Sequence, residues 1–373
     1  MQEVVVIGGG LAGVSTAIAL ARRGAAVTLL DAERPGSAAT GASAGMLAPQ
    51  YESAGAGPLY RAFVLSREWY PRFASMLADV AGIDAALRWD GMLVANLDEG
   101  EHADAESMAA WQRAEGQRAE VIDAGQAQRL QPGIAPDVPS WLWLPDEGQV
   151  DAQQLAVRLP TLLDAAGVRV LAARRAVRLR TNRGAVTGVQ LADGRTLDAD
   201  VVVLAAGAWS DRLDGVPRRL GVRPVRGHIL RFAAGAARLR RIVTSHAARY
   251  LVPRNDGSIL AGSTMDETGF DRSIDDNAVR TVHTAVARLV PALIGARASE
   301  HWADLRPISG DGLPVIGAEP ELPGLFYATG YGRNGVLLAP LAGEVLADMI
   351  TGAAVPDLWR EFSPGRLPLR PAL

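Results

Sequence analysis

The chain has 373 residues, enough for about two domains of the usual ~100–200 residues, and its 49% hydrophobic and 21% charged residues are typical of a globular protein. Its net charge of −3 excludes the basic footprint of a protein that binds nucleic acid or an anionic membrane surface. Lysine and cysteine are both absent, which excludes lysine Schiff bases, disulfides, thiolate catalysis and iron–sulfur clusters.

The N-terminal segment predicts a strand, a glycine-rich turn, a helix and a second strand, in that order. The apolar run Val4–Ile7 is typical of a buried parallel strand and leads directly into the motif Gly8–Gly13, GGGLAG. A helix rich in small apolar residues is predicted over Leu11–Arg23. The second buried strand, Ala25–Leu30, ends at the acidic residue Asp31.

These residues together predict a nucleotide-binding site. Gly8 permits a tight turn, Gly10 lets the backbone approach a pyrophosphate, and Gly13 lets the helix pack closely on the strand. The N-terminus of the helix offers free N–H groups and a partial positive charge to the phosphates. Asp31 lies at about the expected ~20-residue spacing and would accept the ribose hydroxyls, which favours FAD or NAD over NADP.

The middle of the chain predicts a loop, a helix and a group of strands. The Gly/Ala/Ser-rich stretch Pro35–Gly45 is predicted to be a loop around the cofactor. Apolar periodicity predicts a helix over Tyr60–Ala81. Strand-like segments lie at Val168–Leu171, Ala176–Arg180, Ala185–Leu191 and Thr196–Asp198. The apolar segment Asp200–Gly207 predicts a further buried strand whose final turn, at Gly207, forms another edge of the nucleotide site.

The last third predicts an antiparallel sheet followed by a second glycine-rich unit. Alternating segments that predict antiparallel strands lie at Arg223–Phe232, Tyr250–Pro253 and Ser258–Met265. An amphipathic helix is predicted over Asn277–Val290. The final unit is a strand, a glycine loop and an apolar helix with Glu344 and Asp348 on its solvent face, at Leu325–Gly330, Tyr331–Gly335 and Val336–Ile350.

Because glycine-rich units lie near both ends of the chain, we expect two interleaved domains of the α/β class. One is a doubly wound, Rossmann-like cofactor domain built from residues 1–83, 145–223 and 304–373. The other is an α+β substrate domain with a mixed or antiparallel sheet, built from residues 84–144 and 224–303.

Four stretches together resemble the D-amino-acid oxidase superfamily of FAD-dependent oxidoreductases, and within it the glycine oxidase family of thiamine biosynthesis. The resemblance extends over nearly the whole chain, in matching order and spacing. It implies an FAD-binding domain of the D-amino-acid-oxidase type with noncovalent FAD. The stretches are Gly8–Gly13 (GGGLAG), Thr40–Pro49 (TGASAGMLAP), Tyr250–Arg254 (YLVPR) with Gly262–Met265 (GSTM), and Trp302–Pro307 (WADLRP) with Gly330–Leu338 (GYGRNGVLL).

The resemblance also implies which residues surround FAD. The family's residues near the pyrophosphate, ribose, adenine and flavin are matched one by one to positions of this chain. Besides Gly8, Gly10, Gly13, Asp31 and Gly207, they are Leu11, Ala12, Ala32, Ala39, Thr40, Ala44, Gly45, Met46, Ala176, Gly330, Tyr331, Gly332, Arg333, Asn334, Gly335, Val336 and Leu337.

Four residues match the family's substrate site. Arg306 matches the arginine that binds the amino-acid carboxylate through two parallel hydrogen bonds, a task that suits the planar guanidinium. Arg333 matches a second arginine, Tyr250 a tyrosine that donates to the same carboxylate, and Met265 an apolar wall over the flavin. The family pattern has a histidine two residues before the tyrosine, where this chain has Ala248. That departure leaves glycine, sarcosine, D-alanine and D-proline open as substrates.

The expected reaction is oxidative deamination of glycine or a small amino acid or amine. Hydride passes from Cα to flavin N5, the imine gives a 2-oxo acid and ammonia or feeds thiazole synthesis, and dioxygen becomes hydrogen peroxide. The alternatives are a flavin dehydrogenase of D-amino or N-methyl amino acids with a non-oxygen acceptor, and a noncatalytic nucleotide-binding protein. We expect no metal, signal peptide or membrane span, and therefore a cytoplasmic location. The oligomeric state stays open.

Overall fold

The computed structural model describes residues 2–247 and 249–370. The α-helices are α1 (Leu11–Arg22), α2 (Ala39–Ala42), α3 (Pro58–Ala81), α4 (Glu99–Ala114), α5 (Ala124–Leu130), α6 (Ala152–Ala165), α7 (Asp276–Leu289) and α8 (Gly335–Thr351). The strands are β1 (Glu3–Ile7), β2 (Ala26–Leu30), β3 (Met46–Leu47), β4 (Met92–Asn96), β5 (Glu120–Asp123), β6 (Ser140–Leu144), β7 (Gly148–Gln149), β8 (Arg169–Leu171), β9 (Ala176–Asn182), β10 (Ala185–Leu191), β11 (Thr196–Asp198), β12 (Val201–Leu204), β13 (Arg223–Phe232), β14 (Ile242–Ser245), β15 (Tyr250–Pro253), β16 (Ile259–Gly262), β17 (Ala298–Ile308), β18 (Val315–Ala318) and β19 (Leu325–Thr329).

A six-stranded sheet with the order β18-β19-β12-β1-β2-β8 forms the predicted cofactor-binding half of the fold. All its strand pairs are parallel except the edge pair β18–β19. Side chains alternate between its faces, so Val4 and Val6 pack against α1 and α8, while Val5 and Ile7 face the three-stranded sheet β11-β10-β9. The buried runs of β1, β2 and β12 therefore meet a core on both faces, as predicted.

A second sheet of eight strands has the order β17-β13-β16-β15-β14-β4-β6-β5. It is mixed, because β14 and β4 pair in parallel whereas the other neighbours are antiparallel. Helix α7 covers one face, with Val282 and Val286 packed in one core with Leu230 and Phe232. The α/β class and the mixed substrate sheet are both as expected from the sequence.

Several elements differ from their predictions. The predicted strand Ser258–Met265 is only Ile259–Gly262 long, because its neighbours β13 and β15 pair with it no further than Gly262. The predicted strand over Asp200–Gly207 is only Val201–Leu204, and a 3₁₀ turn, Gly207–Arg212, follows it. Strand β8, predicted over Val168–Leu171, spans Arg169–Leu171 and joins the parallel sheet beside β2.

Glu344 and Asp348 lie on the partly exposed side of α8, as predicted, and both form ion pairs with arginines of α1. Because α1 and α8 pack side by side, Glu344 lies 3.1 Å from Nη1 of Arg22, and Asp348 lies 2.7 Å from Nη2 of Arg23. The side chain of Glu344 is only 18% exposed. These acids therefore join the two glycine-initiated helices.

The predicted division into two domains stays a prediction, and strand β17 crosses its boundary between residues 303 and 304. None of the described helices is long and apolar enough to cross a membrane. Within residues 2–247 and 249–370, no group of three or more histidine or acidic residues is arranged to hold a metal ion.

Candidate active site

A cavity of about 930 Å³ extends from the carboxyl ends of β1, β2 and β12 to strands β13 and β17 of the second sheet. In parallel α/β sheets ligands bind outside the carboxyl ends of the strands, where this cavity begins. Most of the predicted site residues line it. They are Gly8, Gly10, Leu11, Ala12, Asp31, Ala32, Ala39, Thr40, Ala44, Gly45, Met46, Ala176, Gly207, Tyr250, Arg306, Tyr331, Gly332, Arg333, Asn334, Gly335 and Val336.

The glycines of the first motif fit the close backbone packing of a pyrophosphate site. Gly8 has φ +110°, and a Cβ there would overlap the carbonyl of Ala205. A Cβ at Gly13 would overlap the carbonyl oxygen of Gly8, so only glycine lets α1 lie so close to the turn after β1. At Gly10, by contrast, the nearest protein atom to a Cβ would be Oγ1 of Thr40 at 3.5 Å. Gly10 therefore faces open cavity, where a ligand backbone fits.

Asp31 and Thr40 hold this turn in shape. One carboxylate oxygen of Asp31 accepts from the N–H of Gly9 at 2.7 Å, and the other accepts from the N–H of Glu33 at 2.7 Å. The hydroxyl of Thr40 accepts from the N–H of Leu11 at 3.0 Å. Each carboxylate oxygen can accept a second hydrogen bond, so these two bonds leave Asp31 able to bind a ribose hydroxyl. That contact stays a prediction.

The N-terminus of α8 forms the opposite wall of the cavity. Its first residue, Gly335, and the preceding Asn334 both line the cavity, and Asn334 makes no side-chain capping bond to the helix. Instead, the amide of Asn334 lies 3.4 Å from a carboxylate oxygen of Glu52. The first-turn N–H groups and the positive end of the helix dipole are thus available to a ligand.

Arg254 fixes the loop at Ala44. From the sequence it was assigned no role and was named only as the last residue of the Tyr250–Arg254 stretch. Its side chain is buried and donates to the carbonyl of Ala44 at 2.8 Å, to that of Val150 at 3.2 Å and to Oε1 of Gln149 at 3.1 Å. Burial lowers the pKa of Arg254 to about 10. The buried guanidinium of Arg254, directly after β15 of the second sheet, therefore holds the loop at Ala44 in place.

Arg306 and Tyr250 meet at the far end of the cavity. Nη1 of Arg306 donates to the carbonyl of Thr264 at 3.0 Å, and Nη2 donates to the hydroxyl of Ser263 at 2.6 Å. Burial lowers the pKa of Arg306, and the neighbouring Tyr250 phenol opposes that shift. These bonds use two of the five N–H donors of a side chain that lines the cavity beside Tyr250.

Arg333 lies at the same end but is already paired. Its Nη2 lies 2.6 Å from Oε2 of Glu52, whose side chain is only 6% exposed. Burial disfavours the charge on Arg333, but Glu52 outweighs that effect and raises the pKa of Arg333. Sequence reasoning missed Glu52 and its neighbour Tyr51, both of which line the cavity. Their only signal was an acid three residues after Pro49, the end of the Met46–Pro49 stretch.

The structure does not bring four predicted residues to the cavity surface. Met265 is 47% exposed in a separate surface depression, because the chain leaves the sheet after Gly262, so it forms no apolar wall of the cavity. Gly13 and Leu337 are buried in packing, and Gly330 has φ +75° in the turn after β19. Ala248 lies outside the described residues.

A buried polar network supports the segment that carries Tyr51 and Glu52. Oε1 of Glu147 accepts from the N–H of Gln50 at 2.8 Å. The side chain of Gln50 in turn bonds Gln112 at 2.8 Å and Arg67 at 3.1 Å. Burial raises the pKa of Glu147 to about 8.

This shift predicts a pH-dependent stability. Because Glu147 holds its proton in the folded state up to about pH 8 but loses it near pH 4.5 when unfolded, its contribution to stability is lost as the pH rises through that window. The slope is at most about 1.4 kcal/mol per pH unit. Urea unfolding of the wild type and Glu147→Gln at pH 5.5, 7 and 8.5 should show the wild type losing stability relative to the variant. Parallel pH profiles would contradict the assignment.

The protein-family model described as FAD dependent oxidoreductase matches residues 3–349. The chain is 33% identical over 354 residues to a glycine oxidase of Pseudomonas putida, covering 94% of this chain and 95% of that protein. It superposes on the crystal structure of glycine oxidase from Geobacillus kaustophilus with a TM-score of 0.92 and 31% identity, covering 97% and 98% of the two chains. It is also 32% identical over 361 residues to a bifunctional protein ThiO/ThiG of Nostoc sp., covering 94% of this chain and 52% of that protein.

Proposed function

The chain belongs to the family of FAD-dependent oxidoreductases that this model describes, and from that premise we propose that it oxidises glycine or another small amino acid. The observation that carries the proposal is a single cavity that joins the nucleotide turn at Gly8–Gly13 to the guanidinium of Arg306. A cavity with these two ends would take a dinucleotide along the glycine turn and a small carboxylate at the guanidinium.

The residues present fit FAD. The turn Gly8–Gly13 and the N-terminus of α1 would hold the pyrophosphate, and Asp31 would hold the adenosine ribose. The uncapped first turn of α8 would face the isoalloxazine and stabilise negative charge there. Since the chain has no cysteine, a cysteinyl link cannot form, and we expect FAD to be held noncovalently.

The protein's own contribution is to bind and orient the substrate. The free N–H groups of Arg306 bind the carboxylate, and the hydroxyl of Tyr250 donates to the same group. Because Glu52 pairs with Arg333, the charge of that guanidinium is already balanced, whereas Arg306 has no acidic partner among the described residues. We therefore assign the main electrostatic contact to Arg306, and Arg333 with Glu52 to the wall beside it.

FAD, when bound, supplies the acceptor for the hydride that leaves Cα. The substrate loses two electrons and two protons to become an imine, which water hydrolyses to a 2-oxo acid and ammonia. Dioxygen takes up the two electrons and two protons as hydrogen peroxide. We further propose that the imine of glycine feeds thiamine thiazole synthesis; the similarity to a bifunctional protein ThiO/ThiG supports this role.

A substrate panel tests this function. We expect FAD to copurify, to be released intact by acid, and to be bleached anaerobically by one or more of glycine, sarcosine, D-alanine and D-proline. Small 2-hydroxy acids are the control, because they offer the carboxylate without the amine. Admitting air should restore the flavin absorption and form hydrogen peroxide.

Each part of the proposal can fail separately. FAD that no amino acid bleaches would contradict an amino-acid substrate. Bleached flavin that air does not reoxidise, but a dye does, would identify a dehydrogenase instead. Purified protein without flavin would contradict the proposal altogether.

A further inference from the structure

Two glycines lie beneath the side chains that the proposed function assigns to the substrate carboxylate. Gly227 is on β13 and Gly262 is on β16, neighbouring strands of the second sheet in which Ile229 pairs with Gly262. Neither glycine has a positive φ that would demand glycine. Since glycine within a strand weakens the sheet, these two positions call for another physical reason.

At Gly227 the reason is the guanidinium of Arg306. Arg306 pairs with Val225 across β13 and β17, so Gly227 is its diagonal neighbour on the same face of the sheet. A Cβ at Gly227 would lie 2.0 to 2.3 Å from Cζ and both terminal nitrogens of Arg306. Real Cβ atoms essentially never lie closer than 3.0 Å to another heavy atom of this kind. The guanidinium therefore lies directly on the backbone of β13.

At Gly262 the reason is the phenol of Tyr250. The two residues are directly opposite each other on β15 and β16. A Cβ at Gly262 would lie 2.6 Å from Cζ and 2.5 Å from the hydroxyl oxygen of Tyr250. The phenol therefore lies across β16, next to Ser263 and Thr264, which accept hydrogen bonds from Arg306.

We propose that Gly227 and Gly262 are positioning residues that form a floor without side chains for the carboxylate-binding pair Arg306 and Tyr250. The floor lets both side chains lie flat on the sheet, so that their donors converge on one carboxylate. This inference rests on the proposed function and adds to it the reason why the two donors point to the same place. A methyl group at Gly227 must displace the guanidinium by roughly 1 Å, a misplacement that costs about 10²-fold in well-oriented sites.

The test uses Gly227→Ala with a matched glycine elsewhere. A Cβ at Gly310, in the segment after β17, would be 3.5 Å or more from its nearest neighbours, so Gly310→Ala is the control. The readouts are FAD content, KM and kcat for the best amino acid of the panel, and the Kd of acetate measured by perturbation of the flavin spectrum. We expect Gly227→Ala to keep FAD but to weaken acetate binding and raise KM tenfold or more. Gly310→Ala should match the wild type.

A double-mutant cycle separates positioning from a general weakening of the sheet. In an Arg306→Ala background the clash is gone, so adding Gly227→Ala should change acetate affinity by less than twofold. If Gly227→Ala alone precipitates, the double variant should fold, since the three atoms nearest to the added methyl group all belong to the guanidinium of Arg306. Gly262→Ala tests the Tyr250 side of the floor independently, with a smaller expected rise in KM.

Three results would overturn the inference. They are a Gly227→Ala enzyme with wild-type KM and acetate affinity, an undiminished effect of Gly227→Ala in the Arg306→Ala background, and a double variant that also precipitates. A wild type that oxidises no amino acid would contradict the proposed function instead, and the acetate and folding measurements would still decide whether the floor exists.

Discussion

Replacing Arg306 with lysine is expected to lower kcat/KM for any amino-acid substrate by about one to two decades while leaving FAD content unchanged. Lysine keeps the charge but lacks the planar fork, so one charge-assisted hydrogen bond of ~1.5–3 kcal/mol is lost. The bonds from Arg306 to Thr264 and Ser263 also fix its orientation, and lysine cannot make both while binding a carboxylate. Steady-state kinetics give kcat/KM, and the ratio of flavin to protein absorption gives the FAD content of each preparation.

The same substitution at Arg333 is the matched comparison. Because Glu52 already pairs with Arg333, we expect Arg333→Lys to change KM by less than Arg306→Lys does. A larger effect at Arg333 than at Arg306 would move the carboxylate site to Arg333 and overturn the assignment.

Replacing Arg254 with leucine is expected to destabilise the fold by about 2 kcal/mol or more and to weaken FAD binding. The substitution leaves the carbonyl of Ala44 and the amide oxygen of Gln149 without their donor, whereas the carbonyl of Val150 keeps the N–H of Ala152 at 3.1 Å. An unsatisfied buried polar group costs ~1–3 kcal/mol, and two are created. Urea unfolding gives the stability, and titration of the apoprotein with FAD gives the affinity.

Arg254→Lys is the control for this prediction. Lysine retains the buried charge and can reach one acceptor, so its losses should lie between those of the wild type and of Arg254→Leu. FAD affinity equal to that of the wild type in Arg254→Leu would mean that the loop at Ala44 holds its shape without the second sheet.

Elements defined by interactions between nearby residues were predicted accurately, whereas elements that depend on distant strands were not. Strand β1, helix α1 and strand β2 were predicted to within one residue at each end, because a buried apolar run and a glycine turn are local signals. The end of β16 was overestimated by three residues, since alternation continues to Met265 although the strands that pair with it do not. Strand β17 was not predicted at all, because its polar and charged residues show no clear alternation of buried positions.

The sequence by itself determined the nucleotide turn, because Gly8, Gly10 and Gly13 act on each other across a few consecutive residues. It also placed Arg306 and Tyr250 in the site, but only through the resemblance of whole motifs to a known family. The tertiary structure alone decided that Arg333 is paired with Glu52, 281 residues away, and that Arg254 holds Ala44 across 210 residues. These contacts exist only where the two sheets close around one cavity, and no local pattern of residue types records which distant side chains will meet there.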